Sequence, residues 1–483
     1  MVRFVAFLSA RYLLFFPLVT ILYHLAPGRA KAPLLLAASW IFYLCAGPRY
    51  FPFLLAVILI SYAAGLLMEC RHKKAVLAVS LILCIGMLFV FKYLNFALEL
   101  LSAALAAAGL SFSSPALELL LPAGISFYLF QAMGYLMDVY RGKEQAQRSF
   151  IRYALFLSFF PSLLSGPIAR SPQLMPQLER PRPFSRDDLR EGLFRFLWGA
   201  FQKLVLADRL AVLVRTVFAA PESFGRLQIL FAALAFSFQI YCDFAAYSNM
   251  AIGSARAMGF TLTENFRTPY FSRSIQEFWR RWHISLSSWF RDYLYIPLGG
   301  SRRGTARKYL NVLIVFAVSG LWHGTALTFV VWGLLNGLYQ VAGAVTAPFR
   351  AKVRRFFRLS DDSLPTVLLQ TGITFLLTTA AWVFFQAGSL STACGMFAGL
   401  FTGPVWVYTS MGLDRKELLV AAAALLLLLA ADLFSLRRDL WESWRTASRP
   451  VRWCAVWVLL LASVIFGSYG PGYDAQSFIY FQF

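Results

Sequence analysis

Two histidines stand where a polar ring is costly. His323 lies in "FAVSGLWHGT" (316–325), a stretch otherwise fit for a bilayer, and His283 lies in "EFWRRWHISLSSWFRDYLYIPLGG" (277–300). The chain has only 4 histidines. An imidazole titrates near neutral pH and can both accept and donate a proton. A titratable side chain at membrane depth is a functional-site hypothesis by default. Gly320 and Gly324 break or pinch the helix around His323, so that a ligand or another segment can approach the backbone closely. The chemistry on offer is proton transfer to or from a reacting group. The plain alternative for His323 is a hydrogen bond that ties two helices together.

Around His283, Trp279, Trp282, Trp289, Tyr293 and Tyr295 can form an interfacial belt, since such rings settle at headgroup level. Arg280, Arg281 and Arg291 can bind phosphates bidentately, and Asp292 can pair with Arg291. The bland reading of this segment is an amphipathic helix with snorkelling arginines. The loop "PLGGSRRG" (297–304) sets Gly299 and Gly300 before Arg302 and Arg303, an arrangement that can offer backbone N–H groups to an anion. It lacks the G-K-[ST] of a triphosphate-binding loop. Tyr241, Asp243 and Asn249 read as a structural hydrogen-bond cluster turned inward from an apolar helix. The six cysteines are scattered, none in C-x-x-C, and no metal-site spacing is present.

The elements that position these groups are set by composition. Hydrophobic residues make up 59% of the 483 and charged residues 14%, whereas soluble domains rarely exceed about half apolar residues. Apolar runs at 11–27, 50–67, 75–91, 228–253, 366–385, 418–431 and 453–467 approach the roughly twenty residues that cross the hydrocarbon as a helix. The net charge of +22 is concentrated in short loops at 71–74, 141–148, 302–308, 350–358 and 437–445. Cytoplasmic loops beside anionic headgroups explain that pattern and argue against nucleic-acid binding. Counting crossings from those loops gives an outside N-terminus, with 28–31, 71–74 and 141–143 inside. Segment 150–168 has basic flanks at both ends and carries Pro161, Gly166 and Pro167. It reads as a re-entrant hairpin, with Gly166–Pro167 as its turn. Segments 190–218 and 228–258 form a further pair. Segment 275–298 is too polar to cross and reads as an in-plane or half-buried helix. Segment 309–345 starts as helix, breaks at "SGLWHG" and resumes. The expected fold class is an all-α polytopic membrane protein, one domain over 1–483, with roughly eleven to thirteen transmembrane helices and re-entrant segments. There is no internal repeat, which weighs against a transporter.

The motif "EFWRRWHISLSSWFRDYLYIPLGGSRRG", followed by "SGLWHGTALTFVVWG", resembles the membrane-bound O-acyltransferase family. Within it, the chain is similar to the bacterial branch of alginate and other polysaccharide O-acetyltransferase membrane subunits. The likeness extends to "LPAGISFYLFQAMGYLMDVYRG" (121–142), "FFPSLLSGPIAR" (159–170), "QIYCDFAAYSNMAIGSARAMGF" (239–260), "ENFRTPYFSRSIQEFWRRWH" (264–283) and "FIYFQF" (478–483), in the family's order. The run "IPLGG" after "WFRDY" sets the chain nearer the acetyl branch than the D-alanyl-transferring members. Ala245, Ala246 and Asn249 depart from that branch's usual "DFSGYSDMAIG", and Asn336 stands where it usually has a histidine.

The resemblance implies a ring of membrane helices around a thin centre, with a central tunnel joining the two faces. His323 would be the family's catalytic histidine, and His283 its second polar position, polarising the thioester carbonyl or orienting His323. Trp322 with Trp279 and Trp282 would exclude water, Arg280, Arg291 and Asp292 would line the substrate path, and Arg302, Arg303 and Arg307 would meet coenzyme A phosphates. The implied donor is acetyl-CoA, with no resident cofactor and no metal. The implied partners are an extracytoplasmic acetyl-transferring protein, a cell-surface polysaccharide and the lipid bilayer of a bacterial cytoplasmic membrane. D-alanyl or another small-acyl transfer, a proton-relaying transporter and an envelope scaffold are the competing readings.

Overall fold

The computed structural model describes residues 7–69, 72–110 and 121–469. The C-terminal "FIYFQF", together with Cys70 and Arg71, lies outside the described residues. Every regular element among those described is helical. Among the described residues, seven helices are long and apolar enough to cross a membrane: Pro48–Leu67, Lys73–Lys92, Arg226–Ala257, Leu327–Val345, Leu364–Gln386, Arg415–Ser435 and Arg449–Phe466. Six coincide with apolar runs visible in the sequence. The run at 11–27 forms a helix, Ala10–Leu25, of 16 residues, short of the roughly twenty that span the hydrocarbon unaided.

Two compact units are present, Met1–Leu193 with Ala251–Thr263, and Phe194–Met250 with Glu264–Phe483. In the first, the segment read as a hairpin is a broken helix. Phe150–Ser158 ends where Phe159 turns to ψ 106°, and a single turn, Phe160–Leu163, follows. Residues 153–169 are all buried. The amide freed by the break is satisfied within the protein, since Phe160 N donates to Ser39 Oγ at 3.1 Å. Gly166 sits in the bend beyond, where a Cβ would lie 2.6 Å from Ser162 Cα.

The second unit holds both histidines. Helix Thr305–His323 ends at Gly324 in extended backbone, and Leu327–Val345 returns antiparallel to it. The break falls at Gly324, the last residue of "SGLWHG", directly after the Trp322–His323 pair. Gly320 and Gly333 let the two backbones meet: a Cβ on Gly320 would lie 2.4 Å from Phe329 O, and one on Gly333 would lie 2.3 Å from Phe316 O. This is close small-residue packing of the kind that holds helices together in lipid.

Segment 275–298 is not the single in-plane helix the sequence suggests. It forms Ile275–Arg281, a break at Trp282–His283, then Ile284–Phe290 and a wider π-turn, Arg291–Tyr295. Three of the five aromatics expected in an interfacial belt are instead buried inside the protein, while Trp279 and Tyr295 are half-exposed. Trp282 is 1%, Trp289 7% and Tyr293 6% exposed. Trp282 rests on Phe266 and Trp382, each 5.0 Å away between ring centroids, and this stacking inside the protein outweighs the headgroup preference of an isolated ring.

Substitution at the helix contact should be costly and position-specific. Gly333→Ala is expected to lose about 1–3 kcal/mol through overpacking. Gly343→Ala, on the same helix with nothing within 4 Å of the added carbon, should be neutral or better. Thermal unfolding in detergent measures both, and equal midpoints for the two variants would refute the close contact.

Candidate active site

His323 is the last residue of its helix and 4% exposed. Its ring is enclosed by aromatic carbon: Trp332 meets it edge-to-face at 4.9 Å and 90°, Phe385 at 5.2 Å and 75°, and Trp322 at 4.7 Å and 70°. Trp382 stacks on Trp332 at 5.6 Å. The hairpin supplies Trp322, His323 and Trp332, and helix Leu364–Gln386 supplies the other two rings. An imidazole in such surroundings is shielded from water, as a reacting thioester would need to be.

His283 sits at the helix break with φ 43° and ψ 55°, a left-handed conformation rare for a residue with a Cβ. Asn265 holds it there. Asn265 Oδ1 accepts from Ser285 N at 3.2 Å and from Ser285 Oγ at 2.9 Å, and lies 3.1 Å from His283 Nδ1. A backbone amide can only donate, so the atom facing it is the oxygen. His283 Nδ1 must then carry the proton, which leaves Nε2 as the basic nitrogen. Burial pushes the His283 pKa from an ordinary 6.5 down to about 3, so the ring is neutral at physiological pH. Phe244 packs on it at 4.5 Å, and Trp322 lies 6.4 Å away, between the two histidines in the order of ring contacts.

A cavity of about 1140 Å³ opens beside this cluster. Its walls are mostly apolar, and Arg273, Arg280, Arg291, Lys308, Arg350 and Arg354 stand among its lining residues. Arg273 is paired with Asp362 at 2.8 Å, Arg291 with Asp292 at 2.8 Å, and Arg354 with Asp361 at 2.6 Å. Trp279, Phe316 and Ser319 are also among its lining residues, the last one helical turn before His323. Apolar walls with guanidinium groups suit an amphiphile that carries phosphates.

Comparison with known proteins shows which family the chain resembles. The sequence profile described as the membrane-bound O-acyltransferase family matches residues 144–385. The probable alginate O-acetylase of Pseudomonas putida is 36% identical over 495 residues, covering 97% of this chain and 98% of that protein. The chain belongs to the membrane-bound O-acyltransferase family. It is an O-acyltransferase and a multi-pass membrane protein. The peptidoglycan O-acetyltransferase of Helicobacter pylori is 34% identical, covering 80% of this chain and 77% of its own. The teichoic acid D-alanyltransferase of Bacillus subtilis is 28% identical over 52% of this chain and 65% of its own. The family-matched region contains both histidines and the whole cavity lining.

Within this O-acyltransferase, the residues singled out in sequence fall into three places. His323, Trp322, His283 and Trp282 share the aromatic cluster, and Trp279, Arg280 and Arg291 line the cavity, with Asp292 on Arg291. Arg302, Arg303 and Arg307 are exposed on or just after the glycine loop, outside that lining. Tyr241, Asp243 and Asn249 do not make one cluster. Tyr241 Oη donates to Asp432 at 3.1 Å, Asp243 pairs with Lys203 at 2.6 Å, and Asn249 Nδ2 donates to Gln202 Oε1 at 2.8 Å. Offsets of two and six along a helix point to different faces, and the partners come from two elements, the π-helical turn Gln202–Ala207 and helix Arg415–Ser435. Lys203 also reaches Asp208 at 2.8 Å. Asn265, Trp332, Phe385 and Lys203 went unnoticed in sequence because their partners are remote in the chain. "ENFRTPY" did carry Asn265 as part of a motif.

The depressed His283 pKa has a pH signature. The unfolded chain protonates this imidazole below about pH 6.5, while the folded chain resists until about 3. Its stabilising contribution is therefore complete above 6.5 and declines as pH falls through that window. At pH 4.5 the loss is on the order of 2–3 kcal/mol. His283→Gln should lose less stability than wild type between pH 7 and 4.5 in denaturant titrations, and parallel losses would contradict a buried neutral ring.

Proposed function

We propose that this O-acyltransferase moves an acetyl group from cytoplasmic acetyl-CoA across the membrane for O-acetylation of a cell-surface polysaccharide, through an extracytoplasmic partner protein. The observation that carries the reading is the cation-lined apolar cavity, one of whose lining residues, Ser319, lies on the helix that ends in His323. Coenzyme A matches both features: its phosphates suit Arg280, Lys308 and Arg350, and its uncharged arm suits the apolar interior. The names of the relatives support the rest: two act on alginate and peptidoglycan, and a D-alanyl-transferring relative covers less of the chain. D-alanyl or another small acyl group is the neighbouring reading.

In this scheme the acceptor oxygen attacks the thioester carbonyl carbon, the C–S bond breaks, and coenzyme A leaves as thiolate and is then protonated. His323 takes the hydroxyl proton, or receives the acyl group first as acyl-imidazole and passes it on. A neutral His283 with Nε2 unprotonated serves as acceptor and orienting group; polarising a carbonyl would need a donor, which this tautomer does not present there. Trp322 and Trp332 keep water from the thioester. The same reading carries the ring of eleven to thirteen helices around a central tunnel and residence in a bacterial cytoplasmic membrane. The shorter apolar helices Ala10–Leu25 and Leu390–Thr402 and the broken segment at 150–163 support a count above seven.

The test is acetyl transfer by reconstituted protein supplied with radiolabelled acetyl-CoA, a candidate partner and purified glycans. Wild type should form glycan acetyl ester, and His323→Ala should be at least about 100-fold slower. Undiminished transfer by the variant would remove His323 from the mechanism. Solute flux without acylation would favour a transporter.

A further inference from the structure

His323 does not line the cavity, and one indole that does line it leads toward the imidazole through ring contacts. Trp279 lines the cavity and meets Trp332 at 5.7 Å and 73°, and Trp332 in turn meets His323 at 4.9 Å. In the order of contacts, Trp279 stands between the cavity and the imidazole. It is only half buried, so its ring needs an anchor. Its Nε1 donates to Asn336 Oδ1 at 3.2 Å. Asn336 is 1% exposed, and its Nδ2 donates to Trp332 O at 2.8 Å. A carbonyl oxygen can only accept, so the amide nitrogen must face Trp332 O and the amide oxygen is left for the indole. The amide has one orientation, and the indole is latched by it.

We propose that Asn336 is a positioning residue that holds the Trp279 indole across the inner end of the cavity, and that this latched wall limits the acyl group reaching His323 to a short one. The inference rests on the acyl-transfer reading above. On this assignment a two-carbon acyl group passes the closed ring, whereas a longer chain displaces the indole and breaks its hydrogen bond to a buried acceptor. Apolar pockets discriminate by roughly 10–200-fold per methylene, and the latch adds the loss of that bond.

Two measurements on the full-length protein test this. Transfer is followed with acetyl-, butyryl- and hexanoyl-CoA, and binding is followed calorimetrically with S-ethyl and S-hexyl coenzyme A, thioethers that cannot transfer. Trp279→Ala should raise the long-to-short ratio at least about tenfold in both assays. Asn336→Leu, which removes the acceptor at similar volume, should shift both ratios the same way. Asn336→His, whose ring nitrogen can accept from the indole, should bring them back toward wild type, a rescue that simple loss of packing would not give. Trp279→Phe should give a smaller shift and serves if the alanine variant does not fold. Ratios within twofold of wild type in a folded Asn336→Leu protein would overturn the assignment. Shifted thioether binding with no acetyl transfer even by wild type would sink the reaction instead and leave the wall standing. Normal acetyl transfer with unmoved ratios would sink the wall alone.

Discussion

The site is organised by the contact of two helix backbones at Gly320 and Gly333, where any side chain larger than hydrogen would strike a carbonyl oxygen of the facing helix. In an apolar medium helices gain little from hydrophobic burial against one another, so close van der Waals approach is what holds such a pair. The closeness fixes the hairpin, and the hairpin carries Trp322, His323 and Trp332 into one layer. Asn336 leaves the same return helix one turn beyond Trp332 and reaches Trp279. A single steric condition therefore fixes the positions of the imidazole, its aromatic enclosure and the wall of the cavity.

A second constraint is that polar groups removed from water must find partners inside the protein. The second unit meets it with pairs spread over several elements. Lys203 lies between Asp208 and Asp243, Tyr241 donates to Asp432, and Asn265 binds Ser248, His283 and Ser285. Breaking one member of such a set strands the others, which explains why these residues bind to one another more than to any surface. Asn265 is also what makes the strained backbone of His283 tolerable, because it satisfies both the ring and the amide that follows.

The cavity joins these constraints to function. Its walls are mostly apolar, and three of its six cations, Lys308, Arg350 and Arg354, come from the basic segments at 302–308 and 350–358, while Arg273, Arg280 and Arg291 come from the segment around His283.

What the sequence alone determined is the class of the protein and the residue types of its chemistry. Apolar runs of helix-spanning length gave six of the seven long helices, since lipid leaves the backbone few other ways to satisfy itself. The rarity of histidine in such surroundings marked His283 and His323 before any geometry was known. Local pattern misjudged the segment 275–298, because its tryptophans have the composition of an interfacial belt and only remote Phe266 and Trp382 draw Trp282 inward. It likewise gave no means of choosing among arginines: those of the glycine loop look as suited to phosphate as Arg280, yet the cavity lies elsewhere. Pairings such as Asn265 with His283 and Trp279 with Asn336, and with them the tautomer of one ring and the latch on another, were decided by the tertiary structure. They depend on groups far apart in the chain, and no local periodicity encodes which of them meet.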